Sequence, residues 1–252
     1  MGQQSLLENH LAVMRQHYPN AMTTTDTVNR MFAVLREHCG LEPCRIMHAD
    51  SICSDDVNSM EYPPEANEML GPFKMGGLDG FPFTGLTGMG AFAHHVPEDG
   101  AVFVYYAPHI GVTKDGITGE INRVGQSKPS ACCGAAKAAL GKLLNNEIQP
   151  GNITDLDYQF NIIEQIFLRQ KDRISAAANP LKKATDVMYE AIEERINLLA
   201  AKTSYPCRHL ILMGGILING DHDMGSFNSC KRFEAIELAS GKSTNLLDLI
   251  NA

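Results

Sequence analysis

The chain has 252 residues, is 44% hydrophobic and carries a formal charge of −8 at pH 7, so it can bury one substantial core with room for a small helical appendage. No basic cluster exceeds a pair, which argues against a nucleic-acid partner. No apolar run reaches the roughly eighteen residues that a membrane helix needs. The N-terminus, MGQQSLLENHL, lacks the basic region and apolar core of a secretory signal. Gly2 invites a myristoylation reading, but Leu6 stands where that motif has Ser or Thr. Seven cysteines without a secretion signal point to free thiols and a metal site rather than a disulfide framework. Cys39, Cys44, Cys207 and Cys230 read as small buried hydrophobes, which leaves Cys53, Cys132 and Cys133.

The first forty residues are expected to be helical. LLENHLAVMRQHY has helical spacing, and TTTDTVNRMFAVLREHCG has threonine caps before its periodic run and a glycine after it. CRIMHADSICSDD leans to strand. Residues 58–100 are rich in Gly and Pro and read as a structured loop pressed against other backbone. AVFVYYAPH is the clearest strand. KPSACCGAAKAALGKLL predicts a helix with Ser130 as N-cap. Residues 155–202 predict helices that meet near Asn179-Pro180. RHLILMGGILIN is a fully apolar strand, and a short mixed tail follows it. Apolar strands interleaved with helices predict an α/β fold with a buried, mainly parallel sheet. The chain divides into an N-terminal helical part (1–40), a core bearing the site (41–150), a helical insertion (151–204), and the last core strand with its tail (205–252), all one domain.

In such a sheet, ligands bind beyond the carboxyl ends of the strands. Cys53 follows one strand, His109 follows another, and Cys133 falls in the first turn after Ser130, where a helix start favours thiolate. Two thiolates and an imidazole suit zinc and leave the fourth tetrahedral position to water, whose pKa zinc lowers to about 7. The spacing by itself matches no short metal motif. On spacing alone, ordinary residues at the ends of elements remain the competing reading.

CSDD is similar to the Cys-x-Asp-x-Arg signature of β-class carbonic anhydrases. CSDDVN, GGLDGFPFTGLTG, AFAHHVP, YAPHIGV, RVGQ, SACCGA and LMGGILIN together resemble the limiting-CO2-inducible protein B/C family, from about residue 40 to 230. The resemblance implies a β-carbonic-anhydrase-like, Rossmann-like fold and a homodimer. It also implies Cys53, His109 and Cys133 as ligands of Zn2+, and a lyase that hydrates CO2 reversibly to bicarbonate through zinc-bound hydroxide. By the same resemblance Asp55 accepts a hydrogen bond from the zinc-bound water, and the chain belongs to CO2-concentrating chemistry. Cys133 is preferred to Cys132 because it precedes Gly134. Val57 stands where the β-class signature has arginine, so another cation must hold Asp55; Arg123 is the first candidate and Arg45 the second. The 23 residues between His109 and Cys133 replace a far shorter β-class spacer.

His94 and His95 are candidates for proton shuttles or caps, and Gln126 for a bicarbonate hydrogen bond. Phe81, Phe83 and Phe92 are candidates for a dry wall around CO2 or for core packing, and His222 for a solvated turn. The Gly-rich stretch 76–90 is a candidate for packing across a two-fold axis. The alternative to an enzyme is a catalytically silent scaffold that handles CO2 or bicarbonate with a paralogous partner. A zinc hydrolase of esters or amides would need a general acid with no clear candidate here. A soluble location follows, cytoplasmic in a bacterium, or plastid in an alga after removal of a transit peptide.

Overall fold

The computed structural model describes residues 3–58 and 63–251; the lipidation reading at Gly2 lies outside the described residues. The chain runs α1 (Gln3–His17), β1 (Met22–Thr23), α2 (Thr24–Cys39), β2 (Ile46–Ser51), β3 (Leu70–Lys74), α3 (Gly85–Ala93), β4 (Ala101–Tyr106), β5 (His109–Gly111), β6 (Glu120–Ile121) and β7 (Ser130–Ala131). It continues through α4 (Gly134–Leu144), α5 (Tyr158–Arg169), α6 (Lys171–Ser175), α7 (Pro180–Lys202), β8 (His209–Asn219), β9 (Ser226–Glu237), β10 (Lys242–Asn245) and α8 (Leu247–Asn251).

Every residue of β2, β4 and β8 is buried, as expected of strands covered on both faces. They form the parallel centre of a sheet ordered β1-β9-β8-β4-β2-β3, with β10 on β9 and β5 on β8. Ser51, Tyr106 and Gly214 lie level across β2, β4 and β8, so the carboxyl ends of β2 and β4 open on the same edge. Side chains alternate between layers. Val102, Val104 and Tyr106 pack with residues of α1 and α3–α7, whereas Ala101, Phe103 and Tyr105 pack with α2 and α8. The result is the expected mixed α/β architecture with a mostly parallel sheet between helical layers.

The helix boundaries follow local chemistry. The Thr23 side chain accepts a hydrogen bond from the Asp26 N–H at 3.0 Å, and Gly40 ends α2 in the left-handed region at φ 64°. Asn179 accepts from the Lys182 N–H at 3.1 Å, with Pro180 opening α7.

Four expectations need correction. Ser130 does not cap a helix. It lies in β7 opposite Ile121, and α4 starts at Gly134 with Cys133 at the cap position. Residues 58–100 hold a strand and a helix within the loop; β3 tolerates Pro72 because it is the sheet's edge. The tail is not short and mixed: β9 is a 12-residue strand antiparallel to β8. Cys44 is exposed and Cys39 half-buried, while Cys207 and Cys230 are buried as expected.

Candidate metal centre

Cys53 follows the end of β2 by two residues. After β4 the chain runs through Ala107 and Pro108 into β5, where His109 pairs in register with Leu217 of β8. The long stretch between His109 and Cys133 is a built return. β5 leads to the β6–β7 hairpin, which folds back so that the Gly111 N–H donates to the Cys132 carbonyl at 2.8 Å and the Cys132 N–H to the Gly119 carbonyl at 3.0 Å. A Cβ on Gly111 would fall 2.7 Å from the Glu120 carbonyl oxygen and 2.9 Å from Cys132 Cβ, so glycine permits that approach. The fold thereby gathers donor atoms of Cys53, His109 and Cys133 within 4.8 Å of one another, all three residues buried.

The ring of His109 is oriented by Asn219, the last residue of β8. Its Nδ1 lies 2.8 Å from Asn219 Oδ1. The Asn219 amide nitrogen donates to the Val57 carbonyl at 3.2 Å and to Asn58 Oδ1 at 3.1 Å, which turns the amide oxygen toward the ring. Nδ1 therefore carries its hydrogen toward Asn219, and among the described residues Nε2 is left buried with no hydrogen-bond partner. A tautomer fixed from behind and an unused nitrogen in front is how metal-binding histidines are held.

The Cys53 and Cys133 thiols shift in opposite directions. The hydrogen bond with Cys133 outweighs burial and takes the Cys53 thiol down to about 4, with His109 adding to the effect. The same bond, with burial, pushes Cys133 well up. The Asp79 N–H also donates to Cys53 Sγ at 3.1 Å. Burial opposes a charge on His109, but the thiols of Cys132 and Cys53 favour it and prevail. The cluster thus holds protons that a bound cation would displace.

Asp79 comes from the turn in GGLDGF. It is fully buried and sits in the left-handed region at φ 50°. A Cβ on Gly76 would meet the Ile52 carbonyl oxygen at 2.3 Å and one on Gly80 the Ala107 carbonyl oxygen at 2.3 Å. Only glycine lets this turn press onto the ends of β2 and β4, which matches the reading of the stretch as a structured loop in close contact with backbone. Burial raises the Asp79 carboxyl to about 7, with the His109 charge opposing and Cys53 adding.

Asp55 stands beside the cluster, held by Arg123 from the β6–β7 hairpin. Arg123 Nη2 lies 3.0 and 3.2 Å from the two Asp55 oxygens. Its Nη1 donates to Asp56 at 2.5 Å and its Nε to Ser130 Oγ at 3.0 Å. Burial raises the Asp55 carboxyl, but hydrogen bonding with Asp56 and Arg123 and the positive charges nearby leave it below the usual range. Arg45, the second candidate, pairs instead with Asp99, at the amino end of β2. Cys132 lies on the Nδ1 side of the histidine, 3.5 Å from that nitrogen and 3.5 Å from Asn219 Oδ1; it groups with Asp55 and His109 rather than with Cys53.

A cavity of about 420 Å³ adjoins these residues, lined by Arg123, Gln126, Asn122, Asn219 and Asp56 among others. His222 borders it but is bonded to the Asn122 carbonyl at 3.3 Å and is exposed. His94 and His95 fall just after α3, on the path to the amino end of β4, away from the site; His94 Nδ1 caps the Gly90 carbonyl at 2.7 Å. Phe92 packs against Phe73 in the core, and Phe81 and Phe83 line a different cleft. Asp79 and Asn219 belong to no recognisable metal-site motif in the sequence. The available signals were an acid among glycines and a polar residue ending an all-apolar strand. Among the described residues no helix is long and apolar enough to cross a membrane.

A family model described as limiting CO2-inducible proteins B/C β-carbonic anhydrases matches residues 21–237. Among solved structures the chain is similar to PtLCIB4, a homologue of the limiting CO2-inducible protein LCIB, with 27% identity, a TM-score of 0.77, and 93% of this chain and 98% of that one covered. A mutant of PtLCIB4 gives 27% identity and a TM-score of 0.79, covering 94% and 97%. LCIB itself gives 20% identity and a TM-score of 0.70, covering 91% and 95%, a likeness of fold. No curated protein matches the chain.

Proposed function

The chain belongs to the limiting CO2-inducible protein B/C family of β-carbonic anhydrases, and from that premise we propose that it is a zinc-dependent carbonic anhydrase interconverting CO2 and bicarbonate. The observation that carries the reading is the unpartnered, buried Nε2 of His109 gathered with the sulfurs of Cys53 and Cys133. Two sulfurs and one imidazole nitrogen fit zinc and leave one tetrahedral position unfilled by the protein. Zinc bound there would supply the Lewis acidity that makes water a nucleophile at neutral pH.

The chain's own residues do the rest. Cys53, His109 and Cys133 would hold the cation, and the protons they carry would pass to solvent as it binds. Asn219 fixes the imidazole, and the Asp79 N–H steadies the Cys53 thiolate. Asp55, kept ionised, accepts a hydrogen bond from the attacking water and so directs its lone pair toward CO2. Arg123 would keep Asp55 from turning onto the metal, the part that Val57 cannot play. Gln126 lines the adjoining cavity, which supports a role for it as a donor to bicarbonate.

Stopped-flow CO2 hydration by the zinc-loaded protein, with Cys53→Ala beside it, tests this. The reading expects a rate well above that of the variant. Equal rates from a wild type that carries its zinc would leave a scaffold in its place.

A further inference from the structure

A second cleft, of about 550 Å³, lies between the turn that follows β3 and the helices α5 and α7, with Phe81, Phe83, Tyr158, Ile162, Arg169 and Arg195 among its lining residues. Its wall is aromatic. Phe81 and Phe83 meet edge-on with centroids 5.2 Å apart, and Phe83 meets Tyr158 at 6.0 Å.

The polar groups of the cleft divide sharply. Gln159 Oε1 accepts from the Leu78 N–H at 2.9 Å. Gln165 accepts from the Gly151 N–H at 2.9 Å and donates to the Gln149 carbonyl at 3.0 Å. Both amides are therefore engaged by the protein. Arg169 and Arg195 are not: among the described residues neither guanidinium has an ion-pair or hydrogen-bond partner, and Arg195 Nε is buried without an acceptor. Among the described residues no carboxylate lines the cleft. In a chain with 29 acidic and 21 basic residues, Arg123, Arg173 and Arg232 each have a carboxylate partner. A buried donor left unsatisfied is costly, and an anion supplies what this one lacks.

We propose that this cleft binds a small organic anion with an aromatic body, its charge on Arg169 and Arg195 and its ring against Phe81, Phe83 and Tyr158. The volume suits a ligand of that size, guanidinium forks suit a carboxylate, sulfonate or phosphate, and the stepped rings suit an aromatic face. The cleft shares no lining residue with the cavity beside Arg123, and bicarbonate has no apolar body to fill such a wall, so the proposal does not rest on the CO2 chemistry.

The test is a fluorescence titration of the full, zinc-loaded chain with anilinonaphthalene sulfonate, with neutral phenylnaphthylamine as the uncharged counterpart. We expect saturable binding of one sulfonate probe per chain. Arg169→Gln and Arg195→Gln should each weaken it by about tenfold or more, the scale of a lost charge-assisted hydrogen bond, without weakening the neutral probe. Benzoate and adenosine monophosphate as competitors then separate a carboxylate from a phosphate ligand. Circular dichroism melts matched to wild type show that the variants are folded. Sulfonate binding unchanged in both variants overturns the proposal. So does a wild type that binds no probe because a second copy of the chain covers the cleft, seen as an oligomer that dissociates in the arginine variants.

Discussion

Replacing Arg123 by glutamine removes the cation that bridges both oxygens of Asp55 at 3.0 and 3.2 Å. The two side chains are 18% and 17% exposed, between the limits of a solvated pair and a dry one. With an effective dielectric near 20 the attraction is about 4 kcal/mol at 4 Å, and desolvation offsets roughly half of it. The expected loss at pH 7 is therefore about 2 kcal/mol, or about 4–8 °C in melting temperature for a chain of this size. The sign with pH is fixed by Asp55, whose folded pKa lies below its unfolded value. Its contribution is complete above the ordinary carboxylate value near 4 and fades as pH falls through the folded value. Urea unfolding of wild type, Arg123→Gln, Asp55→Asn and the double variant closes a cycle that isolates the pair. The expected coupling is near 2 kcal/mol at pH 7 and shrinks toward zero as the pH falls through the folded value of Asp55. A coupling near zero at pH 7, or one that persists in acid, would refute the reasoning. In the same variant Asp55 is free to approach the cation, so CO2 hydration should fall by about tenfold or more while zinc is retained.

Asn219→Ala leaves His109 Nδ1 without its acceptor and should weaken zinc binding by roughly 10- to 100-fold in chelator competition; an unchanged affinity would remove Asn219 from the site. Cys133→Ser should abolish stoichiometric zinc, whereas Cys132→Ser should keep it, and metal content of the two purified variants separates the neighbours; the reverse pattern would exchange their roles. His48, in β2, is pushed down to about 4, first by burial and then by the charge of Lys74. The unfolded chain takes up a proton below the ordinary value of 6.5 while the folded one resists, so stability should fall by about 3 kcal/mol as pH drops from 6.5 to 4. Urea midpoints in His48→Gln should lose that part of the slope, and parallel pH profiles would contradict it.

What the residues disclose about this fold divides along physical lines. The strands covered on both faces stand out because burial on both sides demands continuous apolar residues, as in AVFVYY and LILMGGILI. The helix ends at Thr23, Gly40 and Asn179 stand out because caps need specific side chains or a left-handed φ. β9 does not: its run SFNSCKRFEAIE mixes charge with apolar residues, and the register shifts where it crosses Gly214 and Gly215, which breaks the alternation. β3 hides behind Gly71 and Pro72, tolerable only at an edge. At the site, motif similarity points to Cys53, His109, Cys133 and Asp55, and chain position points to Arg123. Asn219 and Asp79 are different. Asn219 meets His109 only because β5 lies beside the far end of β8, and Asp79 meets Cys53 only because flanking glycines let its turn touch two strand ends. Both contacts are products of topology, which no local pattern records. Ser130 misleads for the opposite reason: it looks like a cap before an alanine-rich helix, but its hydroxyl accepts from Arg123 instead.

Zinc K-edge absorption spectroscopy on the purified protein tests the centre most directly. The expected result is a four-coordinate shell with two sulfurs at about 2.3 Å and two nitrogen or oxygen neighbours at about 2.0–2.1 Å. A shell with one sulfur or none would contradict it.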